Sequence, residues 1–230
     1  MEKKELSEIK KGKYGYGLLI ENDGYISLDD NKQIKEGIEN NGWMIPKPFI
    51  VKAVFQKYGI KNANGRIYPE DVLRKQVELY QQKINERRAI GELNHPEDST
   101  INLSRVSHNI IELHWVNHTL VGEMELNITE GFRKYGIITS KGDEAANLLL
   151  NGYKIGVSSR GVGSVEQRLG QTIVGNDFEL ICWDIVSDPS TPQAYIGSEE
   201  ELQSYVEQKE AVVSPSLNEK ISKIKEILKS

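Results

Sequence analysis

The sequence predicts an α+β fold with few helices and a largely antiparallel β-sheet or β-barrel. In the middle of the chain, two segments have the apolar spacing of a helix, whereas six short segments are rich in strand-forming residues. The two kinds of segment do not alternate regularly, which argues against a parallel β-α-β arrangement. With 230 residues, 38% of them hydrophobic and 27% charged, the chain fits one ordinary domain with tails or two small domains.

The first helix is predicted directly after Pro69, a residue that suits the first helical position. Its apolar stripe consists of Val72, Leu73, Val77, Tyr80 and Ile84. A second helix, at about 143–151, has Asp143 as its expected N-cap and Gly152 as its C-terminal stop. The apolar spacing at 217–228 predicts either a short surface helix on a flexible linker or part of a detachable tail.

The strand predictions cover most of the second half of the chain. The segments are 106–116, 120–126, 135–139, 154–165, 171–174 and 178–186. Near the N-terminus, residues 14–27 alternate loosely and contain Asn22-Asp23-Gly24, a turn signal that predicts a hairpin. The segment NANGRIY at 62–68 is predicted to be a loop, because Asn and Gly tolerate the left-handed backbone of turns.

Composition and charge exclude several classes of protein. No apolar run approaches the roughly 18 to 20 residues that a membrane-spanning helix needs, and no secretory signal is visible at the charged N-terminus. Cys182 is the only cysteine, which excludes an internal disulfide and a multi-cysteine zinc site. The net charge of −5 gives the chain no overall nucleic-acid footprint. We therefore expect a globular, intracellular protein.

Among the four histidines, His95 is the candidate for catalysis. It lies in a compact segment between Gly91 and Glu97, and the pKa of an imidazole, near 6.5, lets it accept and return a proton at neutral pH. The alternative is an ordinary loop histidine. The other three are interpreted as strand and turn histidines, and their spacing indicates no metal site. They are His108, His114 and His118.

The motif GVSSRG contains two candidate nucleophiles. Strand alternation places Ile155, Val157 and Ser159 on one face, which the two aliphatic side chains mark as the core face. Ser158 and Arg160 are then expected to share the outward face. A serine needs an adjacent base and oxyanion donors to become a nucleophile, so the alternative interpretation is a tight strand of small residues.

Asp184 lies within an apolar run, Leu180 to Val186. Burial of a carboxylate is costly unless it is paired or hydrogen-bonded, so Asp184 requires a partner. Two interpretations remain open, which are orientation of a catalytic histidine and a structural ion pair with an arginine.

Together these motifs resemble the prohead (capsid maturation) proteases of tailed phages, which are similar in fold to the herpesvirus assemblins. The resemblance lies in the order His95, Ser158, Asp184 and in the segments GVSSRG and WDIVSDPSTPQAYI. The segments NANGRIYP and GELNHP also resemble the N-terminal half of the large-myophage branch of that family. The resemblance covers about residues 46–197 and implies an assemblin-like, mostly antiparallel β-barrel with peripheral helices.

The resemblance implies a serine endopeptidase in which Ser158 attacks the scissile carbonyl and His95 transfers the proton. Because the herpesvirus enzymes use a second histidine in the third position, the orienting role of Asp184 is an inference from burial and spacing. Ser159 remains an alternative nucleophile. The implied oxyanion and substrate-binding residues are Ser159, Arg160 and Gly161. This chemistry needs no metal and no cofactor.

Members of the family cleave scaffold, core and capsid proteins, and themselves, inside the prohead in the host cytoplasm, and this branch often cuts after Glu in a Leu/Ile-x-Glu context. The chain contains such triplets at 6–8, 90–92, 128–130, 217–219 and 224–226. We therefore predict a removable N-terminal extension at 1–45, a protease domain at 46–197 and a removable or flexible tail at 198–230. The resemblance implies a homo-oligomer, and the net charge and the lack of a long apolar run predict no nucleic-acid and no membrane partner.

Two other classes of function remain open. One is a catalytically inactive capsid core or scaffold protein with the same fold. The other is an unrelated β-rich binding module, in which the His, Ser and Asp side chains would not converge.

Overall fold

The structure, a computed structural model, describes residues 16–26, 36, 38, 39, 42, 44–96 and 98–187. Its strands are β1 (Tyr16–Ile26), β2 (Phe49–Lys57), β3 (Arg66–Ile67), β4 (Ile90–Glu92), β5 (Val106–Val116), β6 (Thr119–Leu126), β7 (Ile155–Arg168), β8 (Gln171–Val174) and β9 (Glu179–Val186). Its helices are α1 (Glu70–Asn85), α2 (Glu130–Tyr135) and α3 (Lys141–Leu150), with a 3₁₀ turn at Leu103–Arg105. The predicted helix at 217–228 and the tail at 198–230 lie outside the described residues.

The strands form two sheets. The first has the order β1-β7-β8-β3, with β9 also paired to β7, and the second has the order β2-β6-β5-β4. The β3–β8 pairing is parallel, and the other strand pairings are antiparallel. An isolated parallel bridge between Leu93 and Ile185 joins the sheets where β4 meets β9. The α+β class is confirmed, but no closed barrel is detected among the described residues, so the barrel stays a prediction.

The core lies between the sheets and α1. The five apolar residues predicted for the helix stripe are all buried. Trp183 is fully buried, and its ring makes edge-to-face contacts with Phe55 and Tyr80. Such aromatic pairs add about 0.5–1.5 kcal/mol each to the hydrophobic contribution. Since Trp183 precedes Asp184 on β9, this packing fixes the strand that carries the acidic residue.

The N-terminal hairpin prediction is wrong. Residues Tyr16–Ile26 form one strand that runs antiparallel along β7, and the register shifts between Asn22 and Gly24. The backbone freedom of Asn and Gly therefore produces a β-bulge rather than a turn, because β7 offers a partner on both sides of it. This strand lies within the segment predicted as an extension, whose removal stays a prediction.

The predicted loop at 62–68 contains the short strand β3 (Arg66–Ile67), which pairs with β8. Three further local features differ from the sequence predictions. Residues 135–139 are not a strand, because Gly136 adopts a left-handed conformation (φ 68°) that ends α2. The N-cap of α3 is Ser140 rather than Asp143, which occupies the third helical position. Strand β2 was not predicted, although its alternating buried residues carry the period-two signal of a strand. These residues are Phe49, Val51, Ala53 and Phe55.

Replacement of Asp143 by Ala is expected to lower the free energy of unfolding by about 3 kcal/mol, because several donors would lose their acceptor. The buried carboxylate accepts hydrogen bonds from the backbone N–H groups of Thr129 (2.7 Å), Thr139 (2.9 Å) and Ser140 (3.0 Å). Denaturant unfolding of this variant beside Asp71→Ala, which removes an exposed carboxylate at the start of α1, measures the difference.

The same carboxylate makes stability depend on pH. Burial acts to raise the pKa of Asp143, but the hydrogen bonds from Thr129, Thr139 and Ser140 outweigh burial and hold the pKa below its usual range. The stabilisation that ionised Asp143 adds to the free energy of unfolding is therefore complete above the unfolded-state pKa of about 3.9. It is lost as the pH falls through the lower folded-state pKa of Asp143. Equal losses of stability in Asp143→Ala and Asp71→Ala would contradict this account.

Candidate active site

Three side chains predicted from the sequence meet where β4, β7 and β9 come together. The His95 Nδ1 atom lies 2.9 Å from Asp184 Oδ2, and His95 Nε2 contacts Ser158 Oγ. Asp184 and Ser158 are fully buried, whereas the His95 side chain is 13% exposed. The structure therefore brings together a hydroxyl, an imidazole and a carboxylate in the order of a proton relay.

The register of two strands brings the serine and the carboxylate together. In the β7–β9 pairing, Ser158 lies opposite Asp184 and Arg160 lies opposite Cys182. Residues opposite each other in an antiparallel pair project from the same face of the sheet. Ser159 belongs to the other face, opposite Trp183, and its buried Oγ has no hydrogen-bond partner among the described residues. Ser158 is therefore the serine that reaches an imidazole.

The loop after β4 holds His95 against β9. The Asn94 N–H donates to the Ile185 carbonyl (2.8 Å), one residue past Asp184. Strand β4 can approach β9 because residue 91 is glycine, since a Cβ there would lie 2.1 Å from the Trp183 carbonyl oxygen. Asn94 has a positive φ of 68°, which turns the chain immediately before the histidine.

Asp184 remains ionised although it is buried. Burial acts to raise the pKa of this carboxyl, but the hydrogen bond from His95, the positive charge of Arg160 and the Glu92 N–H (2.8 Å) hold it below its usual range. An ionised Asp184 can accept a hydrogen bond from the Nδ1–H of His95, which leaves His95 Nε2 free to accept the Ser158 hydroxyl proton. Asp184 contacts both a histidine and an arginine, so the geometry is compatible with both interpretations, and its orienting role stays a prediction.

Cys182 lies on the same face but is not a nucleophile in this arrangement. Burial raises the pKa of its thiol well above the usual range, which keeps the sulfur protonated. Its Sγ donates to Asp184 Oδ1 at 3.3 Å.

The outward orientation predicted for Ser158 and Arg160 is wrong, although they share a face as predicted. Both residues are fully buried, because the loop that carries His95 covers this side of the sheet. The Arg160 Nη1 atom donates to the backbone carbonyls of Asp98 (2.8 Å) and Thr100 (3.3 Å) in that loop. The side chain of Arg160 is therefore engaged inside the protein and is not available as a free donor for a substrate.

Gly161 was implied as an oxyanion or substrate-binding residue, but protein atoms occupy the space beside it. A Cβ at residue 161 would lie 2.4 Å from the Phe178 ring and 2.7 Å from the Glu179 carbonyl oxygen. The absence of a side chain at Gly161 therefore serves packing of the core.

Glu92 is the residue at this site to which the sequence analysis gave no role. It is fully buried and its carboxylate lies 2.9 Å from Arg160 Nη2. The signal in the sequence was an acidic residue between Gly91 and Leu93, three positions before His95, together with an arginine in the middle of a buried strand. Both charges require partners, but the sequence does not identify them.

His108 reaches β9 from β5 without joining the relay. Burial lowers the pKa of His108 to about 4, so the ring is neutral at pH 7. Its Nε2–H donates to the Trp183 carbonyl (3.2 Å), and its Nδ1 accepts from the Ser107 hydroxyl (3.0 Å).

In the part of the chain that the structure describes, no group of three or more His, Cys, Asp or Glu side chains is arranged to hold a metal ion. None of the described helices is long and apolar enough to cross a membrane.

Comparison with known proteins identifies the family. The family model described as prohead core protein serine protease matches residues 21–205, which is most of the chain. The chain belongs to this family. The chain is 30% identical to the prohead core protein protease of Enterobacteria phage T4 over 157 residues. The aligned region covers 67% of this chain and 70% of that protein.

A solved structure has the same fold. The bacteriophage T4 capsid assembly protease superimposes with a TM-score of 0.60 and 24% sequence identity, covering 76% of this chain and 99% of that chain. The predicted resemblance to the prohead proteases is therefore confirmed, and the chain is a member of a phage capsid maturation protease family.

Proposed function

We propose that this prohead core protease family member is a serine endopeptidase whose nucleophile is Ser158, whose general base is His95 and whose orienting carboxylate is Asp184. The observation that carries the proposal is the continuous contact from Ser158 through His95 to Asp184. An inactive core protein would have no need to keep this relay, and an unrelated binding module would not bring the three side chains together.

The mechanism follows from the hydrogen-bond directions. Asp184 accepts the Nδ1–H of His95, which keeps Nε2 unprotonated and facing Ser158. His95 takes the hydroxyl proton as Ser158 Oγ attacks the carbonyl carbon of the scissile peptide bond, and then returns that proton to the leaving amine nitrogen. Water hydrolyses the acyl-enzyme with the same base. The backbone N–H groups at Ser159 to Gly161 were predicted to be the oxyanion donors, but they lie in β7 between β1 and β9, where the strand ladders engage the backbone.

The substrates follow from the family. We propose that the chain acts inside the prohead on core, scaffold and major capsid proteins, that it cleaves after Glu, and that it trims its own ends. Triplets of the Leu/Ile-x-Glu type occur at both ends of the chain, at 6–8 and at 217–219 and 224–226. The triplet at 90–92 lies on β4 with a fully buried Glu92, which would protect it from cleavage.

Incubation of the purified full chain with the core protein of the same virus tests this function. The expected result is a set of core-protein fragments ending at Glu that appear with the wild type and not with Ser158→Ala. Fragments that appear equally with both proteins would show that the activity does not belong to this site. Intact core protein after incubation with a folded wild type would support the inactive scaffold instead.

A further inference from the structure

Glu92 and Arg160 form an ion pair whose two side chains are both fully buried. A buried pair is costly to desolvate, and well-packed apolar residues of similar volume often stabilise a protein as much or more. Stability alone therefore does not account for a charged pair at this position. Arg160 Nε also lies 2.9 Å from Asp184 Oδ2, and the Glu92 N–H donates to Asp184 Oδ1 (2.8 Å). The pair thus touches the carboxylate of the relay from two sides.

The same two residues fasten the loop that carries His95. Arg160 binds the carbonyls of Asp98 and Thr100, and Glu92 Oε1 accepts the Asn102 N–H at 2.9 Å. Glu92 itself begins the loop, so the segment 93–102 is held at its start, its middle and its end. A loop is otherwise the most mobile place for a catalytic group, whereas a relay requires its atoms to be held within a fraction of an ångström.

We propose that Glu92 and Arg160 are positioning residues, a buried clasp that holds the His95 loop and the Asp184 carboxylate in the geometry that activates Ser158. This inference rests on the proposed function. The clasp acts through other groups, because the Nη atoms of Arg160 are engaged by protein acceptors rather than left free for a substrate. Its loss should therefore lower kcat and leave KM nearly unchanged.

Glu92→Gln and Arg160→Lys test the clasp with little change in volume. In each, the rate at which a fluorophosphonate labels Ser158 and the kcat on a Glu-containing peptide should fall on the order of 10- to 100-fold, since a shift of about 1 Å in a catalytic group costs this much. KM should change less than about threefold, as expected for an interaction that does not bind substrate. Amide hydrogen exchange in 93–102 should become at least about tenfold faster, because the loop opens locally more often.

Asp177→Asn is the matched control. It removes one carboxylate charge that accepts from the Ser164 N–H (3.0 Å) and hydroxyl (2.8 Å), away from the His95 loop. This variant should leave kcat and exchange in 93–102 at wild-type values. The proposal is overturned if Glu92→Gln lowers stability but, like the control, keeps the wild-type kcat and the wild-type rate of exchange in 93–102. It is equally overturned if Arg160→Lys raises KM at constant kcat, the result expected of a substrate contact.

Different results would refute the serine-protease activity and the clasp. A folded wild type that neither hydrolyses peptides nor reacts with the fluorophosphonate would refute the serine-protease proposal. The exchange measurement would still decide whether Glu92 and Arg160 hold the His95 loop, because it needs no activity: unchanged exchange would refute the clasp and faster exchange would support it.

Discussion

Replacement of Ser158 by Ala is expected to abolish the removal of N- and C-terminal peptides from this chain. The hydroxyl contacts His95 Nε2 and is the nucleophile in the proposed mechanism, so its loss should reduce kcat on the order of 10⁶-fold, as in serine proteases that lose their nucleophile. Intact mass spectrometry of the purified full chain measures the result. The wild type should lose terminal peptides, with cuts after Glu, and the variant should keep its full mass.

Ser159→Ala is the matched control for that experiment. Ser159 is the neighbour of the proposed nucleophile on the same strand, but its side chain lies on the other face of the sheet, where it pairs with Trp183. The Ser159→Ala variant should therefore lose its terminal peptides like the wild type. Trimming by Ser158→Ala together with intact Ser159→Ala would identify Ser159 as the nucleophile and contradict the strand-face argument. Equal melting temperatures of the three proteins would exclude misfolding as the cause.

Replacement of Asp184 by Asn is expected to lower kcat by about 10⁴-fold, the loss known for the same change in another serine protease, with little change in KM. An amide can turn an N–H toward His95 Nδ1, which would then accept that hydrogen bond, so the single ring proton would sit on Nε2 and face Ser158. The chain should remain folded, because Arg160 keeps Glu92 as its charge partner. Steady-state kinetics on a peptide substrate, with circular dichroism for the fold, measures both outcomes.

The pH dependence adds a second test of Asp184. Burial acts to raise the pKa of Asp184, but the hydrogen bond from His95 and the charge of Arg160 outweigh burial and hold the pKa below its usual range, so the wild-type carboxyl stays ionised well below neutral pH. Protonation of Asp184 should therefore contribute nothing to the pH–rate profile above about pH 4, the usual pKa of Asp.

A kcat for Asp184→Asn within about tenfold of the wild type would refute the role of Asp184 as the orienting group, as measured against the matched control Asp177→Asn.

Period-two alternation was sufficient to predict part of this site. It placed Ser158 with Arg160 on one face of β7 and Ser159 on the other, which is the arrangement observed. The helix stripe of α1 and the bounds of β5 and β8 also agree with the structure. These features depend on neighbours within a few positions, so local sequence contains the information.

Other features depended on partners that are far apart along the chain. Asn22 and Gly24 have the composition of a turn, yet they lie in a bulge because β7 continues beside them. The face that carries Ser158 was expected to be exposed, but the loop at 93–102 covers it and is held there by Arg160, which contacts Asp98 across a sequence separation of 62. No pattern within a strand reveals such a cover.

By itself, the sequence determined which residue types were available and which of them share a strand face, because alternation is a property of the extended backbone. Tertiary structure alone decided that Asp184 contacts both His95 and Arg160, and that Glu92 completes the group. The physical reason is that these contacts join three strands through the register of β7 with β9 and the approach of β4 to β9. Buried charges require partners wherever they lie, but only the packed fold selects them.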